Sequence, residues 1–139
     1  MFVHLHCHSY YSFLRGASAP EALLEQAARL GLKQLALTDR EGLYGAVAFA
    51  RRAEAMGIRP IVGAELPLDG VGGVVALPRS ATGYAALCRA LTRFHLDPAF
   101  DPAAALEALA EDNWLLFAEP RGLAEALRRC RTPHLVAEL

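Results

Sequence analysis

Short apolar runs alternate with amphipathic helical stretches along the whole 139-residue chain, and this alternation constrains its fold more than any other feature. The run from Phe2 to His8 reads as a strand. Ser18 and Glu21 stand at capping-box spacing, Pro20 suits a first turn, and Gly31 is placed to stop the helix. Its apolar stripe is Leu23, Leu24, Ala27, Ala28 and Leu30. Gln34 to Thr38 predicts a second strand, Gly45 to Met56 a helix ended by Gly57, Arg59 to Glu65 a third strand, and Gly73 to Pro78 a fourth. A helix over Ser80 to Phe94 precedes a Pro/Asp-rich joint at Asp97 to Pro102, where Asp101 can cap a short helix to Ala110. Asn113 to Ala118 predicts a fifth strand, Gly122 to Cys130 a helix, and His134 to Ala137 a sixth strand. Such a pattern argues for an α/β fold with a mostly parallel sheet covered by helices. An open doubly wound sheet and a barrel both satisfy it, and in both a ligand sits beyond the carboxyl ends of the strands. No G-x-G-x-x-G follows a strand, so a dinucleotide site has no support.

One domain of this length buries roughly 70% of its unfolded surface. With 54% hydrophobic and 21% charged residues the chain is globular rather than disordered. Fourteen basic against fifteen acidic side chains leave a net charge of −1. A protein that grips a phosphate backbone normally carries a basic face, so nucleic-acid binding by this chain alone is disfavoured. Arg89, Arg93, Arg128, Arg129 and Arg131 read as solvated helix faces. Cys7, Cys88 and Cys130 lack C-x-x-C spacing and suggest reduced thiols. No leader pattern and no apolar run of about 18 residues is present, so the expectation is a cytoplasmic protein without a membrane span.

The chemistry gathers at the front. In a regular strand His4, His6 and His8 share one face, and three imidazoles there suit zinc, manganese or iron. The alternative is a set of hydrogen-bonded histidines in a polar interior. Asp39 and Glu65 each end a predicted strand and are the candidate catalytic carboxylates. Asp39 could instead cap the next helix. Glu65, after an apolar run, is the natural carboxylate to join the histidines. Cys7 alternates away from them, His95 and His134 read as ordinary histidines, and Trp114 reads as core.

The phrases HLHCHS with YSFLRGAS, then LALTDREGLYGAVAFARRA, then GIRPIVGAEL resemble the PHP (polymerase and histidinol phosphatase) domain of bacterial DNA polymerase III alpha subunits. FLRGAS and TDREGLYGAV are similar to its error-prone branch, and RSATGYAALCRALTRFHL is similar to the segment after the third strand. The resemblance implies a PHP-type, distorted TIM-like barrel, here incomplete with about six strands, and residues 1–139 as a single domain forming the N-terminal part of the family's. It implies up to three metals, phosphoester hydrolysis in active members and, in some, 3′–5′ exonuclease proofreading. His6, His8 and Glu65 fall on ligand positions of the family, with His4 second in rank.

The departures matter as much. Arg15 stands where active members carry an acid, and Arg40 where they carry the histidine of T-D-H. Guanidinium cannot bind a metal. The later Asp-x-His motif is expected beyond Leu139. Two functions follow from the resemblance: a non-catalytic PHP module with a degenerate metal site of reduced occupancy or none, or a metal-dependent phosphoesterase with a reduced His/Glu site. Arg15 and Arg40 could pair with Asp39 and Glu65 as a salt-bridge cluster in place of metal, or could bind phosphate. Polymerase activity would need a further domain. An incomplete barrel exposes strand edges, which predicts self-association or a polymerase-related partner chain.

Overall fold

A computed structural model describes residues 2–68 and 72–138. Two compact units divide the chain, Met1–Ala64 and Glu65–Leu139.

The first unit contains α1 (Pro20–Arg29), β1 (Gln34–Leu37), α2 (Ala46–Ala55) and β2 (Arg59–Val62). Both helices stop in the same way. Gly31 and Gly57 take φ of 71° and 69°, a region where glycine has no Cβ to clash. Leu32 N–H then donates to Ala27 and Ile58 N–H to Ala53, closing Schellman-type ends that aim the chain into a strand. β1 and β2 pair in parallel, Leu35 opposite Pro60 and Leu37 opposite Val62. Leu24, Ala27, Leu35, Leu37, Phe49, Ala53 and Ile58 form the core beneath them. α1 has no capping box: Ala19 occupies the cap position without a side-chain bond, and the Ser18 carbonyl accepts from Tyr10 N–H instead. Leu30 falls just past the helix and is exposed, off the stripe the sequence assigns it.

The expected strand at Phe2 to His8 does not form; the segment is irregular, with a bend at His6. Its hydrogen bonds to β1 give the reason. Ala36 N–H donates to the His4 carbonyl, and an even parallel ladder would bring Thr38 N–H to His6. Thr38 N–H goes to Cys7 instead, at 2.9 Å. The segment is therefore one residue longer than the strand it follows, as in a bulge. That extra residue breaks the every-second-residue alternation between His4 and His8.

The predicted strand Arg59 to Glu65 is likewise two strands. Gly63 N–H makes the last bond to Leu37 of the two-stranded sheet, and Ala64 opens β3 (Ala64–Leu68) of a four-stranded one.

The second unit continues with β4 (Gly72–Pro78), α3 (Ala81–Leu96), α4 (Pro102–Ala110), β5 (Asn113–Phe117), α5 (Pro120–Arg129) and β6 (Leu135–Ala137). Strand order is β3-β4-β5-β6. β4 and β5 are antiparallel, with Val75 opposite Leu116, while β5 and β6 are parallel, with Leu115 opposite Leu135. Val74, Val75, Ala76, Leu115 and Phe117 fill the core, the continuous apolar pattern of strands covered by helices. Ser80 caps α3 through Thr82 and Gly83 N–H, and Asp101 caps α4 through Ala103 and Ala104 N–H. Trp114 is not core. It is the outward residue of β5, 42% exposed, with its ring edge-on to His134 at 4.8 Å.

The fold is thus mixed α/β, strands mostly parallel with alternating helices, and the described strands make no closed barrel. No helix among the described residues is long and apolar enough to cross a membrane.

Candidate metal centre

The bend at His6 brings two of the three histidines together. His6 and His8 Nε2 lie 3.2 Å apart, their ring centroids at 4.9 Å and the rings nearly perpendicular. His4 is left out: it is exposed, with its ring edge-on to Phe2. Glu65 stands on β3, one peptide bond after Ala64, and is half-buried like the two imidazoles. Gly73 on neighbouring β4 makes room for it, because a Cβ there would overlap Glu65 Oε1.

The donor set fits one ion. Two nitrogens each about 2.0–2.1 Å from a tetrahedral metal stand roughly 3.3 Å apart, close to the observed spacing. Two imidazoles and a carboxylate also match the borderline donor chemistry of zinc, manganese or iron.

The backbone on both sides of His8 is bonded to the end of β1, through side chains whose roles the sequence does not announce. Thr38 is fully buried, and its hydroxyl accepts Cys7 N–H at 2.8 Å and reaches the Cys7 carbonyl at 3.2 Å. Asp39, 1% exposed, takes Ser9 N–H at 2.6 Å and Ser12 Oγ–H at 2.6 Å on Oδ1, and Ser9 Oγ–H at 2.7 Å on Oδ2. The two serines are themselves held, since Ser9 Oγ accepts Tyr11 N–H and Ser12 Oγ accepts Arg40 N–H. Each serine proton is therefore directed at the carboxylate. Burying a charge on this scale is tolerable because each of its oxygens meets a short, charge-assisted donor. The only sequence signal for Ser9 and Ser12 was their place inside the HLHCHS and YSFLRGAS phrases.

Of the salt-bridge cluster expected around Asp39 and Glu65, no ion pair forms at Asp39 among the described residues. Asp39 is bonded by serines, Arg40 Nε turns to Glu41 at 3.1 Å, and Arg15 is exposed. Asp39 is also no helix cap, since Gly45 starts α2. Cys7 points into the first unit's core, and burial, followed by the Asp39 charge, pushes its thiol pKa up, as expected of a packing residue. His95 is exposed, and Arg128 and Arg129 of α5 pair with Glu125 on their own helix.

Residues 4–128 match the family model described as the PHP domain. Over 129 residues the chain is 44% identical to the error-prone DNA polymerase of Mycobacterium tuberculosis strain H37Rv, covering 81% of this chain and 12% of that protein. It is 48% identical over 105 residues to the error-prone DNA polymerase of Symbiobacterium thermophilum, covering 74% of this chain and 10% of that one. The chain thus spans about a tenth of the length of these curated relatives. Among solved structures it resembles a two-domain protein from Bacteroides vulgatus containing a predicted PHP-like metal-dependent phosphoesterase, at a TM-score of 0.58, 18% identity, 82% of this chain and 33% of that one. It also resembles an amidohydrolase from Chromobacterium violaceum, solved with sulfate and no metal, at a TM-score of 0.53, 26% identity, 95% of this chain and 44% of that one. With the family model matched over residues 4–128 and these relatives 44% and 48% identical, the chain belongs to the PHP domain family and is related to error-prone DNA polymerases.

Proposed function

We propose that residues 1–139 act as a single PHP-type module of the error-prone polymerase lineage, non-catalytic, with a degenerate centre for one divalent ion. His6, His8 and Glu65 are its ligands, His4 stays outside, and zinc, manganese or iron matches the donors. The observation that carries this reading is the engagement of Asp39. Both its oxygens are taken by Ser9 and Ser12, and the next residue, at the family's histidine position, is an arginine turned to Glu41. Asp39 is therefore a structural bracket and not a second ligand or general base. Arg15, at the other substituted position, faces solvent.

A second reading, a reduced metal-dependent phosphoesterase, is favoured by one observation. Three protein ligands are also the complement of catalytic zinc sites, where the bound ion acts as a Lewis acid and lowers the pKa of a water. Elemental analysis, together with a chromogenic phosphodiester assay of wild type and His6→Ala, separates the two. Up to one equivalent of metal without turnover is expected. Metal-dependent turnover that vanishes in His6→Ala would establish the enzyme instead.

Because the matched relatives are far longer, the module's natural setting in our reading is the cytoplasm, against polymerase-related chain or a second copy of itself. Near-neutral net charge argues against DNA binding by this segment alone. Sedimentation of the chain with and without a polymerase body tests the association. A lone monomer in both cases would count against it.

A further inference from the structure

We infer that Thr38 and Asp39 are positioning residues that set the spacing of the His6–His8 pair, an inference that rests on the one-ion reading above. The two follow β1, and they hold the backbone on both sides of His8. The Thr38 hydroxyl captures Cys7 N–H and Thr38 N–H captures the Cys7 carbonyl, so the residue between the histidines is bonded at both polar ends. Asp39 Oδ1 captures Ser9 N–H, on the far side of His8. The bulge explains why this clamp is needed. Where a ladder runs evenly, its own hydrogen bonds fix each side chain's direction; here the ladder skips at His6, leaving the Cys7 and Ser9 amides for side chains to satisfy. Thr38 and Asp39 are both fully buried, so the clamp is shielded from competing water. Ser12 and Gly16 brace it from outside: Ser12 bonds Asp39, and Gly16 lies so close to the Ser9 carbonyl that a Cβ would overlap it.

Groups that orient metal ligands typically change affinity by about 10–100-fold when removed. The test uses the 139-residue chain, Co²⁺ as the probe, and two readouts. One is the affinity from the visible absorption of bound Co²⁺. The other is the ring-to-ring nuclear Overhauser effect between His6 and His8 without metal, which the 4.9 Å centroid separation makes observable. Thr38→Val keeps shape and loses the hydroxyl, while Thr38→Ser keeps the hydroxyl. Asp39→Ala removes the acceptor, while Asp39→Asn retains one oxygen for Ser9 N–H.

We expect Thr38→Val and Asp39→Ala to weaken Co²⁺ binding about tenfold or more and to lose the ring cross-peak, with Ser and Asn restoring both. His6→Ala should abolish binding. Persistence of the cross-peak and wild-type affinity in both Thr38→Val and Asp39→Ala would overturn the positioning role. If wild type binds no Co²⁺ yet its cross-peak vanishes in those two variants, the metal reading fails while the clamp stands. Should Thr38→Val or Asp39→Ala fail to fold, Thr38→Ser and Asp39→Asn decide, and loss of the cross-peak in both would refute the acceptor geometry.

Discussion

Replacing Asp39 by alanine removes the acceptor on which the histidine segment hangs. Three short hydrogen bonds end on this carboxylate, from Ser9 N–H, Ser9 Oγ and Ser12 Oγ, among residues at or below 1% exposure. The hydroxyls keep their roles as acceptors for Tyr11 and Arg40 N–H, so their loss is partial. Ser9 N–H has no substitute. A stranded buried donor costs about 1–3 kcal/mol, and each bond to a charged acceptor contributes about 1.5–3 kcal/mol before the shared desolvation of the carboxylate is set against it. Burying that carboxylate carries its own penalty, which the variant escapes, so the sum falls to a net loss of about 2–4 kcal/mol. Asp39→Asn keeps an oxygen for Ser9 and Ser12 and can donate to Ser9 Oγ, so about 1–2 kcal/mol is expected. Urea unfolding at neutral pH, followed by circular dichroism, measures both. A loss below about 1 kcal/mol for alanine, or an asparagine variant as unstable as alanine, would refute the reasoning.

Four further outcomes follow from other parts of the molecule. Gly16→Ala forces a Cβ onto the Ser9 carbonyl, backbone against backbone, and should cost about 2–4 kcal/mol in urea unfolding; an unchanged midpoint would mean the loop yields freely. Gly73→Ala meets only the tip of Glu65, so stability should shift by less than about 1 kcal/mol while Co²⁺ affinity falls; unchanged affinity would remove Glu65 from the ligand set. Phe49→Ala empties the centre of the first unit's core and should cost about 3–5 kcal/mol, read as a drop in melting temperature. Glu125 is held below its usual pKa of 4.5 by hydrogen bonds from Arg128 and Arg129. Its stabilisation of α5 is therefore present above that pH and lost as pH falls through the lowered value. Helicity of wild type should decline over that acid range and that of Glu125→Gln should not; parallel declines would dismiss the pairing.

The helices and the positions of most strands were legible because their signals are local. Gly31 and Gly57 stop helices by backbone freedom, Ser80 and Asp101 cap them with their own side chains, and Val74 to Leu77 are apolar wherever a strand is to be covered. The H-x-H spacing and Glu65 were legible as donors for the same reason, since residue type alone decides what can bind a metal.

Register belongs to the partner. Alternation put His4, His6 and His8 on one face, but Thr38 bonds Cys7 rather than His6, and one skipped residue sends His4 to solvent. Gly63 likewise divides a continuous apolar run between two sheets because the ladder with β1 ends at Leu37. Asp39 reads in the sequence as a catalytic acid or a cap; the fold gives the cap to Gly45 and delivers Ser9 and Ser12, thirty and twenty-seven residues back along the chain, to the two oxygens of Asp39. Sequence by itself fixed which groups could carry charge, bind metal or turn the chain. Only the tertiary structure decided which of them meet, because hydrogen bonds between distant segments, not local preference, set the offset of one strand against another.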